Sequence, residues 1–583
     1  MRRVWSFVLV LLVILSGCAA APDLSGMICA VILDQEHIYV SDPVRWIPWG
    51  ADVTYTIEAD IGYDITAVNF DNYDLQRSNN TYTLTLHNVT VPVRVTLEVK
   101  KAQAVICYHN GDQLYFENYD LTYRKRANTA FETTMISPSG HTLTGWNTEA
   151  DMTGNTIGLG SRVTVPEDTN YLDLYAQWIP WNDTRDFTYF NHGTHIELTG
   201  YLGSGDTVAV PGQIEGLPVT VISTGCFSGC SAHEVILPDT VRIVESGAFQ
   251  SCALESILFF DNLAEIYDDS FIDCPQFSSV HINATHLPCY ANRSRHSHYA
   301  DKIDLLILSE ANEKPRMVFI AGSSMWFSLD GSLVDTFFDE AYAPINVALN
   351  AFYSGTAQFE VLKDHLREGD VVIHAPEVCS EHQLMATNEM TENMFTCFEL
   401  NYDLFAGVDI RNLRNVFSAY TQYNSVRQEL PQTPYDAREG FDWMDQYGCI
   451  PFTRPATGGN KNLLDEASIG TALLTKETFS RLNSQYAELS QITGSPVLFA
   501  FGPVNYDGLS EEDRDPARWQ AFEDTVRNGL SNDAIVITSM TDAVMRGHNF
   551  YETDFHLNSE ATVIHTRNLC EGIRAALKEV TGA

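Results

Sequence analysis

The apolar run Met317-Val318-Phe319-Ile320 ends at Ala321-Gly322-Ser323-Ser324, and far downstream Glu552-Thr553-Asp554-Phe555-His556 stands just ahead of the last helical stretch. A continuous β-branched and aromatic run reads as a buried parallel strand. Ligands of α/β sheets bind beyond the carboxyl ends of their strands, so Ser323 or Ser324 would sit at a sheet's rim. Gly-Ser-Ser is also ordinary turn chemistry. Asn558 and Ser559 ahead of Glu560 are helix-cap candidates that explain the second stretch without catalysis. Joined on one sheet, however, a serine after the first strand and a histidine with an acid after the last are the order a serine hydrolase needs.

The elements that must bring them together can be read between residues 315 and 583. Short buried strands near "MVFIAG", "PINVALN", "DVVIHAPE", "SPVLFAFG" and "AIVITS" alternate with helical stretches such as "AQFEVLKDHLRE" and "TRNLCEGIRAALKEV". That alternation predicts an α/β domain with a parallel, helix-flanked sheet of flavodoxin-like order. Residues 380–485 form a mostly helical insertion between strands three and four, and insertions of that length often cover a site.

Over roughly residues 316–580 the chain resembles the SGNH (GDSL-like) hydrolases, including exported members whose tail reads His-Leu-Asn, as His556-Leu557-Asn558 does here. The resemblance aligns Ala321-Gly322-Ser323 with Gly-Asp-Ser and so implies Ser323 as nucleophile, His556 as general base and Asp554 as the carboxylate that orients the imidazole. It implies oxyanion donors at the Ser323 amide and at a backbone amide near Ala348. Three departures stand out. Thr553 occupies the place of the family's acid, which leaves Asp554 two residues and Glu552 four residues before His556, and either carboxylate could serve in a turn. Glu377 stands nearest the family's oxyanion asparagine, and an ionised carboxylate cannot donate a hydrogen bond. Asn505 in "GPVNYDG" could supply a replacement amide. Gly322 replaces the Asp of Gly-Asp-Ser.

The chain of 583 residues holds three or four domains at about 150 residues each. Its 35 Lys+Arg against 76 Asp+Glu leave a net charge of −41, which repels nucleic acid and argues against polyphosphate or anionic-lipid partners. No Walker loop, dinucleotide fingerprint, HExxH helix or calcium loop is present, so neither cofactor nor metal is predicted. Met1-Arg2-Arg3 followed by apolar Val4 to Leu15 reads as a signal peptide. Leu15-Ser16-Gly17-Cys18 resembles a bacterial lipobox, which implies removal of residues 1–17, lipidation of Cys18 and an extracytoplasmic, membrane-anchored lipoprotein.

Three modules are expected between the anchor and the sheet. Residues 18–101 alternate as in "DVTYTIEA" and resemble immunoglobulin-like surface modules, a small β-sandwich. Residues 102–180 carry Gly145-Trp146-Asn147-Thr148 and Leu174-Tyr175-Ala176-Gln177-Trp178, which resemble the B-repeat of internalin-type proteins. In a module this small Trp146 and Trp178 are core residues before they are sugar platforms. Across 188–286, Cys230, Cys252 and Cys274 recur every 22 residues, each beside one short strand. This is a solenoid whose units bury their apolar faces by stacking. Three units, best kept at Ile243 to Cys252, resemble the leucine-rich repeats of bacterial surface antigens, and the cysteines are expected as stacked buried thiols. Residues 287–314 read as a linker.

Two functions from different classes follow. One is a surface esterase or O-acyltransferase acting on surface or wall polysaccharide. The other is a catalytically inactive adhesion or binding lipoprotein that contacts glycans or host glycoconjugates through its repeats.

Overall fold

The computed structural model describes residues 26–119, 125–126, 137–166, 168–285, 298–311, 313–349, 353–377, 386–399, 401–430, 444–459, 469–471 and 474–581. Cys18 and the expected signal peptide, residues 1–17, lie outside them. The chain forms two compact units, one of residues 1–108, 114–122 and 165–172, the other of 109–113, 123–164 and 173–583. The boundary therefore runs through residues 102–180, expected from sequence as one module. Among the described residues no helix is long and apolar enough to cross a membrane.

In the first unit, strand β1 (Met27–Ile32) pairs with antiparallel β2 (Val44–Pro48), while β3 (Ala51–Ala59) pairs with β4 (Thr81–Val89) in a second sheet. β5 (Val93–Val95) lies parallel to β1 on its other side. Strict alternation along β3 turns Val53, Tyr55, Ile57 and Ala59 into the core and leaves Thr54, Thr56 and Glu58 in solvent. Ala30 and Ile32 of β1 fill the same core, where the buried Tyr55 hydroxyl donates to Ala30 O at 2.8 Å.

In the second unit β6 (His141–Asn147) pairs antiparallel with β7 (Tyr171–Pro180), whose first two residues belong to the first unit, and Trp146 is fully buried. A solenoid follows. Its strands β8 (Thr207–Ala209), β9 (Glu234–Ile236), β10 (Ser256–Phe260) and β11 (Ser279–Asn283) stack in parallel. The period of 22 is carried by rings as well as thiols. Phe227, Phe249 and Phe271 stack at centroid distances of 4.9 and 5.1 Å. Cys230 Sγ lies 3.4 Å from Cys252 Sγ, and Cys252 and Cys274 donate to Phe227 O and Phe249 O. Cys230, Cys252 and Cys274 are free thiols, of which Cys252 is buried and Cys230 and Cys274 only half-buried.

The expected linker at 287–314 is corrected over its second half. Residues His298–Leu308 form helix α1, mostly buried. Asp301 and Asp304 on α1 grip the buried Arg162, the former at 2.7 Å, and an arginine flanked by two carboxylates cannot be left in a freely moving segment.

After α1 comes the parallel sheet, of order β13-β12-β14-β15-β16 among the described residues: β12 (Arg316–Ile320), β13 (Ala343–Asn346), β14 (Val371–His374), β15 (Val497–Phe499) and β16 (Ala534–Val536). Numbered along the chain this order is 2-1-3-4-5, so the switch point falls beside β12. Helix α2 (Ser323–Ser328) leaves the carboxyl end of β12 with Gly322 as N-cap, and α5 (Ser559–Thr581) closes the chain; between them α3 (Val416–Arg427) and α4 (Lys476–Thr493) lie on the segment joining β14 to β15. Within that segment α3 turns to the solenoid. Phe417 stacks on Phe271 at 4.7 Å, Thr421 donates to Ile266 O at 2.8 Å, and buried Arg427 pairs with buried Asp261 at 3.3 Å. Part of the predicted site cover is thus the cap that a solenoid's last coil requires.

Candidate active site

Ser323 opens α2 at the rim of the central strand, and its Oγ lies 2.8 Å from His556 Nε2. Ser324 is buried, and its Oγ has no hydrogen-bond partner, so of the two serines only Ser323 meets the imidazole. The second imidazole nitrogen, Nδ1, faces Glu552 Oε1 at 3.3 Å. Serine, histidine and carboxylate thus form a hydrogen-bonded line, the arrangement that activates a hydroxyl otherwise unreactive at its free pKa.

The histidine is held by groups with no catalytic label in the sequence. Phe327 lies one helical turn after Ser323 on α2, and its ring stacks flat on His556 with centroids 4.0 Å apart and planes 1° apart. One short helix therefore carries the hydroxyl and the platform for its partner, because positions i and i+4 share a face. The buried Arg454 donates to Leu557 O at 3.1 Å and to Thr562 Oγ1 at 2.9 Å, tying down the chain just after the histidine. Thr553 Oγ1 accepts from the amides of Phe555 and His556 at 3.2 and 3.1 Å. The residue in the family's acid position therefore shapes the turn. Phe327 was recoverable from its spacing to Ser323; Arg454, 102 positions before His556, gave no such signal.

Asp554, expected to orient the imidazole, does not meet it. Its Oδ1 accepts from Asn505 Nδ2 at 2.6 Å, while its carbonyl accepts the Asn505 amide at 2.9 Å. The carboxylate that reaches Nδ1 is that of Glu552, two residues before Asp554. Asn505 is likewise corrected as an oxyanion donor: its Nδ2 is spent on Asp554 and on Gly458 O at 3.2 Å. Gly459, at φ +76°, passes so close that a Cβ there would meet Asp554 Oδ1 at 2.5 Å and Asn505 Nδ2 at 2.8 Å. This pair braces the histidine's turn from behind.

The Ala348 amide is also occupied. It donates to Asn346 Oδ1 at 3.0 Å, and its carbonyl accepts from Lys302 Nζ at 2.8 Å. Lys302, on α1, is fully buried, with its ammonium 4.2 Å from the centre of the Trp326 ring, and burial lowers its pKa to about 7. The unfolded chain keeps that proton up to about pH 10.4. Between these values the unfolded state binds more protons, so stability rises with pH across the window. The stability of the second unit, measured by thermal unfolding, is expected to rise between pH 7 and 9, by about 1.4 kcal/mol per pH unit at most. Lys302→Met should flatten that slope; an equal slope in the variant would assign it elsewhere.

Glu377 enters the site itself. It is 4% exposed, and its Oε1 accepts from Ser323 Oγ at 2.9 Å and from the Ser324 amide at 2.6 Å. A carboxylate oxygen thus holds a backbone donor beside the hydroxyl, the position where an acyl oxyanion would be stabilised. Among the described residues no group of three or more His, Cys, Asp or Glu is arranged to hold a metal ion.

A second concavity lies in the same unit. A cavity of about 540 Å³ is bounded by Met152 and Trp178 on one side and by Glu234, Ile236, Leu258 and His281 of the solenoid strands on the other. Trp178 is half-buried, and its Nε1 donates to Asn110 Oδ1 at 3.0 Å.

Comparison with known proteins bears on the solenoid. Residues 216–293 match the model of the BspA type leucine-rich repeat region. Over residues 216–285 the match falls on the solenoid, which therefore carries BspA-type leucine-rich repeats. The match counts six copies, a finer division than the three 22-residue units read from sequence. Among solved structures, the chain is similar to a leucine-rich repeat protein of T. pallidum, at 34% identity over 18% of this chain and 50% of that one, with a TM-score of 0.17. It is also similar to a leucine-rich cell surface protein of Faecalibacterium prausnitzii A2-165, at 17% identity over 38% of this chain and 53% of the other, with a TM-score of 0.17. The chain spans about half the length of each. No curated protein matches it.

Proposed function

We propose that the chain is a lipid-anchored, extracytoplasmic serine esterase or O-acyltransferase of SGNH type, acting on small acyl groups carried by a surface or wall glycan. The observation that carries the reading is the 2.8 Å approach of Ser323 Oγ to His556 Nε2, with Glu552 at Nδ1. In this reaction Ser323 Oγ attacks the acyl carbonyl while His556 takes its proton. The tetrahedral intermediate expels the sugar oxygen, which receives that proton, and leaves an acyl-serine. Water or a second hydroxyl then attacks the acyl-serine with His556 again as base, and Ser323 recovers its proton. Sheet order 2-1-3-4-5 supports the reading, since it puts Ser323 at the switch point. The lipobox at Cys18 supports the location.

The mature chain incubated with a fluorophosphonate probe is expected to be labelled on the peptide that contains Ser323, and labelling should vanish in Ser323→Ala. Absence of labelling, or labelling that survives the substitution, would overturn the reading. A second reading, a binding lipoprotein without catalysis, is favoured by the cavity beside Trp178 and by the carboxylate of Glu377 at the hydroxyl. It predicts an unlabelled wild-type chain.

A further inference from the structure

Two sheets of the first unit have outer faces that differ in kind. Along β3 the outward residues are Asp52, Thr54, Thr56 and Glu58, and across the strand pair Thr54 and Thr85 exchange a hydrogen bond at 3.0 Å. That is the polar exterior expected of a half-solvated antiparallel sheet. The other sheet breaks the rule. Its register pairs Met27 with Pro48, Cys29 with Trp46 and Val31 with Val44, and alternation puts these six on the side away from the core, where Ile28, Ala30, Ile32 and Ile47 are buried. Met27, Val44 and Trp46 are 40, 44 and 49% exposed, and Trp49, just past β2, is 69% exposed. The strand beside β1 adds Arg94, opposite Val31. No carboxylate belongs to these positions. A contiguous exposed apolar face on a chain with 76 acidic residues marks a contact surface.

We infer that this face lies on the lipid bilayer that holds the anchor. The inference rests on the lipid anchor at Cys18 named above. Eight residues separate Cys18 from Met27, a reach of about 30 Å even when fully extended. The sheet that begins at Met27 is therefore the part of the described chain tethered closest to the membrane. Tryptophan is the residue that settles at the level of lipid headgroups, with its ring in the apolar boundary and its N–H in water. With a net charge of −41, contact cannot depend on anionic headgroups, so apolar burial must supply it and a zwitterionic surface suffices.

The test uses the lipidated mature chain in vesicles of phosphatidylcholine with and without bromine on the acyl chains. Bromine is expected to quench tryptophan fluorescence, and in Trp46→Ser/Trp49→Ser the quenching should fall by roughly half or more, because both rings are solvent-exposed and nearest the tether. Equal quenching in wild type and variant, or none in either, overturns the inference. So does quenching that requires phosphatidylglycerol, which would assign the contact to headgroup charge. If unlipidated chain sediments as a dimer that Trp46→Ser abolishes, the face belongs to a second copy and the inference falls. Mass spectrometry of Cys18 separates the two proposals. Should the thiol be unmodified, the anchor fails, and the same quenching on chain tethered by an N-terminal hexahistidine tag to nickel-chelating lipid still decides the face.

Discussion

His556→Ala is expected to lower kcat for p-nitrophenyl acetate by about 10²–10⁴-fold, the range a positioned general base contributes, with the fold intact because the ring is a platform-stacked side chain at the rim. The finer test concerns the carboxylate. Glu552 lies 3.3 Å from Nδ1 and its side chain is 41% exposed, so solvent screens it, and Glu552→Gln should cost about 10- to 100-fold, less than a buried triad acid would. Asp554→Asn retains an oxygen for Asn505 Nδ2 and should leave kcat within about threefold. Steady-state kinetics on the three variants decides the assignment. A large kcat loss in Asp554→Asn with none in Glu552→Gln would return the orienting role to Asp554 and require the turn to rearrange on substrate binding.

Glu377→Gln is expected to raise activity. Ser323 has one hydroxyl proton, and Glu377 Oε1 at 2.9 Å competes for it with His556 Nε2 at 2.8 Å. The same oxygen occupies the Ser324 amide, and an ionised carboxylate there opposes the negative charge that develops on an acyl oxygen. Glutamine has the same shape, no charge and an N–H to donate. A gained oxyanion donor is worth up to about 10²–10³ in kcat, and a rise of at least tenfold at pH 8 is the expected reading. A fall in activity instead would make Glu377 a required part of the reaction. Fluorophosphonate labelling rates, which depend on the hydroxyl's nucleophilicity, should rise with it.

The buried elements could be read from the chain because burial leaves a pattern in residue type. The β-branched and aromatic runs of the parallel strands, the alternation of Val53 to Ala59, and the 22-residue period at Cys230, Cys252 and Cys274 each state a local geometry that neighbours then satisfy. Segments between such patterns were harder. His298–Leu308 read as linker because its stretch is rich in polar residues, and only Arg162, far away in the sequence, explains why Asp301 and Asp304 are buried.

At the candidate site, residue type and strand-end position offered Ser323 or Ser324 and His556, and the resemblance to the SGNH hydrolases chose Ser323, whose Oγ lies 2.8 Å from His556 Nε2. Which carboxylate faces the imidazole was a different kind of question. Glu552 and Asp554 lie within four residues of His556, and the choice between them depends on the direction of each side chain in a turn that Thr553, Asn505 and Arg454 hold. Likewise, the amides of Ala348 and Asn505 are common donors in any sequence, and only their three-dimensional neighbours show them already bonded. Local order along the chain determined which groups were available; the direction of each hydrogen bond, set by partners up to hundreds of residues away, decided which of them meet.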